Sequence, residues 1–313
     1  MVEIGAFSWG SCESLLQISI HSYGINATTM PSNIKSELDT EASSSSFLGD
    51  LGRPIRRYPY KGTKVFLEIV KMELSRQEED FEASEWVLFT KVSEQAFSRD
   101  FLNSDDNLLQ RCWNSYDSSQ HLLLVKMTVS RAHEIAARVF ERLFFDCLKP
   151  MGLDDCLQSF GSATCKAENG NAKQPDCQFL PRRLPRDRTR KWPSVVVETG
   201  FSESPSKLTS DARFWLSESN DDVQIVITIK IGRSSPSIML ESWECVNDRI
   251  KRQQVVTISK GDNNQVYLWG QPLMISFNKL FLRPPSLPKE KNISLDDTML
   301  KKIARNVWEE QGF

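Results

Sequence analysis

Two acidic residues, Asp176 and Glu198, stand in contexts typical of strand ends, and together they could bind a divalent cation. Asp176 follows Pro175, and Glu198 ends the apolar run Val195-Val196-Val197. The 21 residues between the two acids allow the chain to run out and back, so their strands can be neighbours. Mg²⁺ binds a few carboxylate oxygens and keeps its waters, and it can activate a water for phosphodiester hydrolysis. The alternative is structural, because Asp after Pro is common in turns and a Glu at a strand end is often only solvated.

Further candidate groups lie on two predicted helices. Glu134 lies off the apolar stripe of the first helix and could supply a third acid. Lys207 and Arg213, on the second helix, could orient the attacking water or stabilise the transition state. With three histidines in the chain, few Ser/His or Cys/His nucleophile arrangements are possible. We therefore expect metal-assisted chemistry with Mg²⁺ (or Mn²⁺) if the site is active, and no cofactor otherwise.

The loop between the two acids is rich in cations. Residues 166–191 contain eight Lys or Arg and three Asp or Glu, although the whole chain has a formal net charge of −2. A local patch of this kind could attract nucleic acid. The predicted nucleic-acid contacts are Arg182, Arg183, Arg186, Arg188, Arg190 and Lys191. The same loop could instead be a solvated surface loop or a nuclear-import signal.

Composition narrows the classes of protein. The chain has 313 residues, of which 40% are hydrophobic and 26% charged, as is ordinary for a globular protein. The seven cysteines are scattered and form no Cys-x-x-Cys pair, which argues against a disulfide framework or a thiolate zinc site. No signal peptide and no membrane span is recognisable, so we expect an intracellular protein, cytoplasmic or nuclear. The oligomeric state is left open.

The elements that must position these residues become clear only in the later part of the chain. Residues 1–60, which include a four-serine tract, are predicted to be disordered, and Met30 is an alternative start to Met1. Residues 61–120 form an extension in which segments 64–74 and 85–97 could each be strand or helix. A domain is predicted over residues 121–285, followed by a linker and a C-terminal helix over 286–313.

Within that domain, apolar spacing predicts a strong amphipathic helix over 131–148, capped by Ser130 and ended by Pro150. Strands are predicted near 122–127, 157–166, 175–180, 194–198, 225–231 and 238–243, with further short strands near 254–259, 265–269 and 273–277. A second helix is predicted over 205–217 and a last one over 295–310, opening with Ser294-x-x-Asp297 as a capping box. This order indicates an α/β (α+β) core whose sheet begins as a meander.

The domain resembles a large set of uncharacterised fungal proteins, which are similar in turn to the putative-restriction-endonuclease branch of the PD-(D/E)XK superfamily. The resemblance covers roughly residues 120–285. It is carried by Ala132-His133-Glu134, Gly161-Ser162-Ala163-Thr164, Pro175-Asp176, Arg182-Arg183-Leu184-Pro185 and residues 192–204, 208 and 211–216. It implies a restriction-endonuclease-like mixed central sheet flanked by helices.

In that superfamily an Asp and then an acid-x-Lys triplet bind the metal and steer the water. Asp176 and Glu198 match the first two positions, but Gly200 stands where the lysine is expected. In the related branch the lysine comes from the following helix, which here offers Lys207, Asp211 and Arg213. The resemblance thus implies a metal-dependent DNA nuclease or a degenerate version of one. The alternative is a catalytically inactive nuclease-fold protein that binds nucleic acid or a protein.

Overall fold

The computed structural model describes residues 37–39, 55–79, 84–127, 130–201, 206–261 and 263–313. The chain divides into two units, one of Met1–Glu41 and Arg53–Val129 and the other of Ala42–Gly52 and Ser130–Phe313. Most of the segment predicted to be disordered, with Met1 and Met30, lies outside the described residues. The strand at Leu122–Lys126 belongs to the first unit, so the second unit resumes after the predicted domain start at residue 121.

The first unit packs short strands against an aromatic core. Its elements are β1 (Glu37–Asp39), β2 (Ile55–Pro59), α1 (Thr63–Glu79), β3 (Trp86–Thr90), α2 (Glu94–Phe97), a π-helical turn (Ser98–Leu102), α3 (Asn107–Arg111), β4 (Ser115–Asp117) and β5 (Leu122–Lys126). The strands lie in the order β1-β2-β3-β5-β4, and β2 and β3 run parallel because α1 connects them. Phe66 packs against Phe89 and Phe101, with ring centroids 4.6 and 5.1 Å away. The open segment 64–74 is thus helix, whereas 85–97 divides into a strand and a short helix.

The second unit begins with helix α4 (Arg131–Leu148), as the apolar spacing predicts. The Ser130 hydroxyl accepts a hydrogen bond from the backbone N–H of His133 and caps the first turn. A 3₁₀ turn, Lys149–Met151, follows, and Gly152 ends it in the left-handed conformation with φ 69°. The buried face of α4 includes Phe140, Leu143 and Phe144. It packs on one side of the central sheet.

The central sheet has seven strands in the order β14-β13-β12-β11-β10-β9-β6. These strands are β6 (Leu157–Ser159), β9 (Cys177–Pro181), β10 (Val195–Phe201), β11 (Ile225–Ile231), β12 (Ser237–Val246), β13 (Arg249–Lys260) and β14 (Val266–Trp269). A short hairpin, β7 (Cys165–Lys166) with β8 (Ala172–Lys173), comes before β9. The predicted strand over 157–166 is thus two separate strands.

The direction of the strands makes the sheet mixed. Strands β6, β9 and β10 form an antiparallel meander, and β10 then runs parallel to β11 through helix α5 (Ser206–Glu218). Strands β11 to β14 are again antiparallel. Val195 and Val197 of β10 face the core beneath α4, whereas Val196 packs with Trp215 of α5 on the opposite face. Because side chains alternate along a strand, Glu198 lies on the α5 face.

The chain ends with β15 (Leu273–Ile275), α6 (Phe277–Phe281), β16 (Ile293–Leu295) and α7 (Asp297–Gln311). Helix α7 buries Leu300, Ile303 and Val307 in the same core as α4. Its cap is the carboxylate of Asp296, which accepts the N–H of Met299 at 3.0 Å, so the predicted cap at Ser294 is wrong because that residue lies in β16. The α/β prediction of a mixed central sheet flanked by helices, with a C-terminal helix, is confirmed. No helix within the described ranges is long and apolar enough to cross a membrane.

Candidate functional site

Asp176 and Glu198 lie side by side where the pairing between β9 and β10 ends, although β10 itself continues to Phe201. The last paired residues of β9 and β10 are Cys177 and Val197, and Asp176 and Glu198 are the next residue on each strand. The Asp176 side chain is 20% exposed. Its Oδ2 atom accepts the backbone N–H of Thr199 at 2.6 Å. The carboxylate thereby continues the strand pairing where β9 itself has ended.

His133 completes this strand end from the α4 side. Its Nε2 atom lies 2.7 Å from the carbonyl oxygen of Thr199 and 3.2 Å from Oδ2 of Asp176. A carbonyl oxygen can only accept a hydrogen bond, so Nε2 must carry the proton. Both backbone polar groups of Thr199 are therefore satisfied by side chains. His133 therefore has a packing role at this end of the β9–β10 pairing.

The carboxylate of Glu198 is enclosed on the other face of the sheet. The residue is 3% exposed. Its Oε1 atom accepts the indole N–H of Trp215 at 2.6 Å and lies 3.4 Å from the ammonium nitrogen of Lys173. Trp215 and Lys173 come from α5 and β8, so three elements converge on one carboxylate.

Lys173 connects Glu198 to a second acid, Asp211 of α5. The Lys173 ammonium lies 2.8 Å from Oδ1 of Asp211, and its side chain is fully buried. The same oxygen is paired with Lys207, four residues earlier on the helix. Glu198, Lys173, Asp211 and Lys207, which we call the buried charge cluster, thus hold two carboxylates and two ammonium groups within one enclosed space.

Burial and neighbouring charges shift the pKa values of the whole cluster. Burial raises the pKa of Glu198 to about 7, although Lys173 acts to lower it. Burial also lowers the pKa of Lys207 to about 8, against the effect of Asp211. Burial also opposes the charged forms of Asp211 and Lys173, but the opposite charges beside each group have the larger effect. The two neighbouring lysines lower the pKa of Asp211, and the two neighbouring acids of the cluster raise the pKa of Lys173.

The other predicted catalytic residues lie in different surroundings. Lys207 is in the buried charge cluster, where its partner is Asp211. Arg213 is exposed on α5, two residues after Asp211, whereas Asp211 is buried. Glu134 pairs with Arg138 on the next turn of α4, at 2.8 Å from its Nε atom. The structure thus brings Asp176, Glu198 and Lys207 to one end of the strands and gives Arg213 an exposed position.

The basic loop (residues 182–191) lies at the opposite end of the β9–β10 hairpin. Strand β9 begins after Asp176 and ends at Pro181, where the loop starts. A strand rises about 3.3 Å per residue, so Arg182, the first residue of the loop, lies roughly 20 Å along the strand from Asp176. The basic loop and the acid pair therefore lie at opposite ends of the hairpin, because a hairpin loop and the open end of its strands point in opposite directions. The nucleic-acid contacts of the loop stay a prediction.

Five of the six cations of the basic loop are exposed: Arg182, Arg183, Arg186, Arg190 and Lys191. Arg190 packs over the ring of Phe160, 5.6 Å from its centroid, and that ring is 40% exposed. Arg188 differs, because it pairs with Asp222 at 2.9 Å and donates to the carbonyl oxygen of Trp192 at 2.8 Å. Arg188 therefore fixes the loop to the rest of the unit.

At Gly200, where the superfamily motif has a lysine, the side chain of Leu208 occupies the space beside the backbone. A Cβ atom at Gly200 would meet Cδ1 of Leu208 at 3.0 Å and its Cγ at 3.1 Å. Leu208 belongs to the first turns of α5 and is buried. A side chain at position 200 would therefore require Leu208 to shift, because the helix approaches β10 closely.

A divalent cation does not fit the acids as they are arranged. Oε1 of Glu198 already contacts an indole N–H and an ammonium, and Oδ2 of Asp176 already accepts a backbone N–H. Among the residues that the structure describes, no group of three or more His, Cys, Asp or Glu side chains could hold a metal ion. We therefore derive no catalytic step through a metal.

Sequence reasoning missed Lys173 as a member of the site. It stands in an unremarkable polar segment, three residues before Asp176, and carries no motif. One signal was present in the sequence. Lys173 is only two residues before Pro175-Asp176, so it must lie near that pair in space. Trp215 and Asp211 follow Lys207 at helical spacing, so their position on one helix face was accessible from the sequence.

Comparison with known proteins identifies no family for this chain. No protein-family model matches the chain, and no curated protein matches it. One solved structure that matches is the crystal structure of a putative nuclease belonging to DUF820 from Anabaena variabilis ATCC 29413. The sequence identity is 12%, the match covers 70% of this chain and 99% of that chain, and the TM-score is 0.36. A likeness at this level carries no argument about function.

Proposed function

We propose that this protein is a nuclease-fold protein that binds nucleic acid through its basic loop and does not hydrolyse it. The observation that carries the proposal is the separation of the two features. The exposed cations lie at one end of the β9–β10 hairpin, and Asp176 and Glu198 lie at the other. A phosphate held by Arg183 or Arg186 is therefore out of reach of both carboxylates.

The chemistry of the basic loop suits a phosphodiester backbone. Arginine guanidinium groups bind phosphate oxygens with two parallel hydrogen bonds, and the loop itself contains one acid, Asp187. Arg190 and the exposed ring of Phe160 add a flat surface on which a base of a single strand can stack. The affinity should come mainly from phosphate contacts and should fall steeply with salt.

The test compares wild type with the double variant Arg183→Ala/Arg186→Ala. Fluorescence anisotropy with labelled single-stranded and duplex DNA should show weaker binding of the variant. The slope of log affinity against log salt should fall by about two for the double variant, because each lost phosphate contact removes about one unit. Arg305→Ala, which removes an exposed arginine from α7, is the matched control and should bind as wild type does. Absence of DNA binding at low salt would contradict the proposal and would favour a protein partner.

Metal-dependent phosphodiester hydrolysis is the second candidate, and the partly exposed side chain of Asp176 favours it. Purified protein with Mg²⁺ or Mn²⁺ is incubated with plasmid and linear DNA, beside Asp176→Ala and Glu198→Ala. We expect no cleavage above the level of the two variants. Cleavage by wild type that both variants lose would establish hydrolysis and overturn the non-hydrolytic proposal.

A further inference from the structure

Lys173 occupies an unusual position for a lysine. Its side chain is fully buried, on the two-residue strand β8. Its ammonium nitrogen lies between two carboxylates from different elements, 2.8 Å from Asp211 of α5 and 3.4 Å from Glu198 of β10. Lysine is almost never fully buried unless its charge is paired. One ammonium therefore joins the sheet to the helix that packs on it.

The ammonium of Lys173 stands between two carboxylates, as a metal ion that bridges two acids would. A divalent cation would stand between Glu198 and Asp211 at about 2.0–2.2 Å from each oxygen. The ammonium instead stands 2.8 Å from Asp211, the distance of a charge-assisted hydrogen bond, and 3.4 Å from Glu198, the distance of an ion pair. The ammonium faces Oε1 of Glu198 and Oδ1 of Asp211, one oxygen of each acid.

The charges of the cluster also balance without an ion. When Glu198 is ionised, Glu198 and Asp211 supply two negative charges, and Lys173 and Lys207 supply two positive charges. A divalent cation would add two uncompensated positive charges to a buried group, which is strongly unfavourable. The tight pairing of Lys207 with Asp211 makes the same oxygen still less available.

We propose that the ammonium of Lys173 is a built-in cation, which takes the place of a divalent metal between Glu198 and Asp211. The folded protein then has no affinity for Mg²⁺ or Mn²⁺ at these two acids. The proposal concerns the buried charge cluster alone and does not depend on nucleic-acid binding by the basic loop.

The first measurement uses the wild-type protein. Its melting temperature is measured in EDTA and in excess MnCl₂, and bound Mn²⁺ is counted by electron paramagnetic resonance. A ligand that binds only the folded state must raise the melting temperature. We expect the same melting temperature in both solutions and no bound Mn²⁺. A rise with Mn²⁺ that Glu198→Gln abolishes would overturn the proposal.

The second measurement removes the ammonium from between the two acids. Lys173→Ala removes the ammonium and leaves two buried carboxylates with space between them, so its melting temperature in EDTA should fall well below wild type. Mn²⁺ should recover part of that loss, and Lys173→Ala/Glu198→Gln should recover none. Lys166→Ala, an exposed lysine on the neighbouring strand β7, should match wild type in both solutions.

The two measurements complement each other, because each can overturn the proposal independently. A folded Lys173→Ala that gains nothing from Mn²⁺ would show that the ammonium is not standing in for a metal. If Lys173→Ala does not fold in either solution, the wild-type comparison decides the question by itself.

Discussion

At the scale of single residues, the site shows how the surroundings of an acid decide what it can do. Asp176 and Glu198 stand one after the other on neighbouring strands, yet they face different partners. Asp176 meets the backbone N–H of Thr199 and the ring of His133, and keeps some exposure to solvent. Glu198 meets Trp215 and Lys173 in an enclosed space. Two carboxylates that look equivalent in the sequence are therefore chemically different.

The raised pKa of Glu198 has a consequence for stability. Burial shifts it from an ordinary value of 4.5 to about 7, so the folded protein keeps this proton at a pH where the unfolded chain has lost it. The contribution of Glu198 to the free energy of unfolding is then fully present below about pH 4.5 and is lost as the pH rises through about 7.

The variant Glu198→Gln should remove this dependence, because an amide keeps an acceptor for Trp215 but does not titrate. Urea unfolding between pH 5 and pH 8 should show a free energy of unfolding that falls less steeply in the variant. The difference between the two curves should reach up to about 3 kcal/mol. Glu309→Gln, an exposed acid on α7, serves as the control. Parallel curves for wild type and Glu198→Gln would contradict the prediction.

At the scale of elements, the contact between β10 and α5 determines which residues can occupy the site. Gly200 lets Leu208 approach the strand closely, and this places the first turns of α5 beside Glu198. Lys207 and Asp211 then reach the cluster from the helix. The absence of a lysine at position 200 is therefore part of how the helix packs, and a side chain there would displace it.

Restoring a side chain at this position should destabilise the protein. Replacing a glycine in the interior of a strand with alanine usually stabilises a protein where there is space for the methyl group. Gly200→Ala should instead cost about 1–3 kcal/mol, because its methyl group meets Leu208. Urea unfolding of Gly200→Ala, Leu208→Ala and the double variant measures the coupling. The cost should shrink in the Leu208→Ala background, and an unchanged cost would show that Leu208 is not the cause.

At the scale of the whole molecule, charge is unevenly distributed. The chain carries a formal net charge of −2, yet five exposed cations gather in one loop of the second unit. The buried charge cluster adds little to this distribution, because its two acids stand against two lysines in an enclosed space. The proposed nucleic-acid binding therefore depends on the loop end of the hairpin.

This separation predicts that the acid end does not influence DNA affinity. Asp176→Asn removes a negative charge at the end of the strands that lies opposite the basic loop. Its affinity for DNA, measured by anisotropy at physiological salt, should equal that of wild type, because charges further apart than about 8 Å are screened there. Asp187→Asn, within the loop, is the comparison and should tighten binding. A clear gain in affinity for Asp176→Asn would place the polyanion across both ends.

The sequence by itself determined the main elements of the second unit. The apolar spacing of α4, the alternation of β11 and the break around Pro150 predict local structure, because helix and strand periods depend on neighbouring residues. It also predicted that Asp176 comes just before a strand, whereas the predicted strand end at Glu198 is wrong because β10 continues to Phe201. Only the tertiary structure decided that the basic loop lies at the opposite end of the hairpin and that Lys173 lies between Glu198 and Asp211. Those facts depend on strand direction and on packing between elements distant in the chain, which no local pattern encodes.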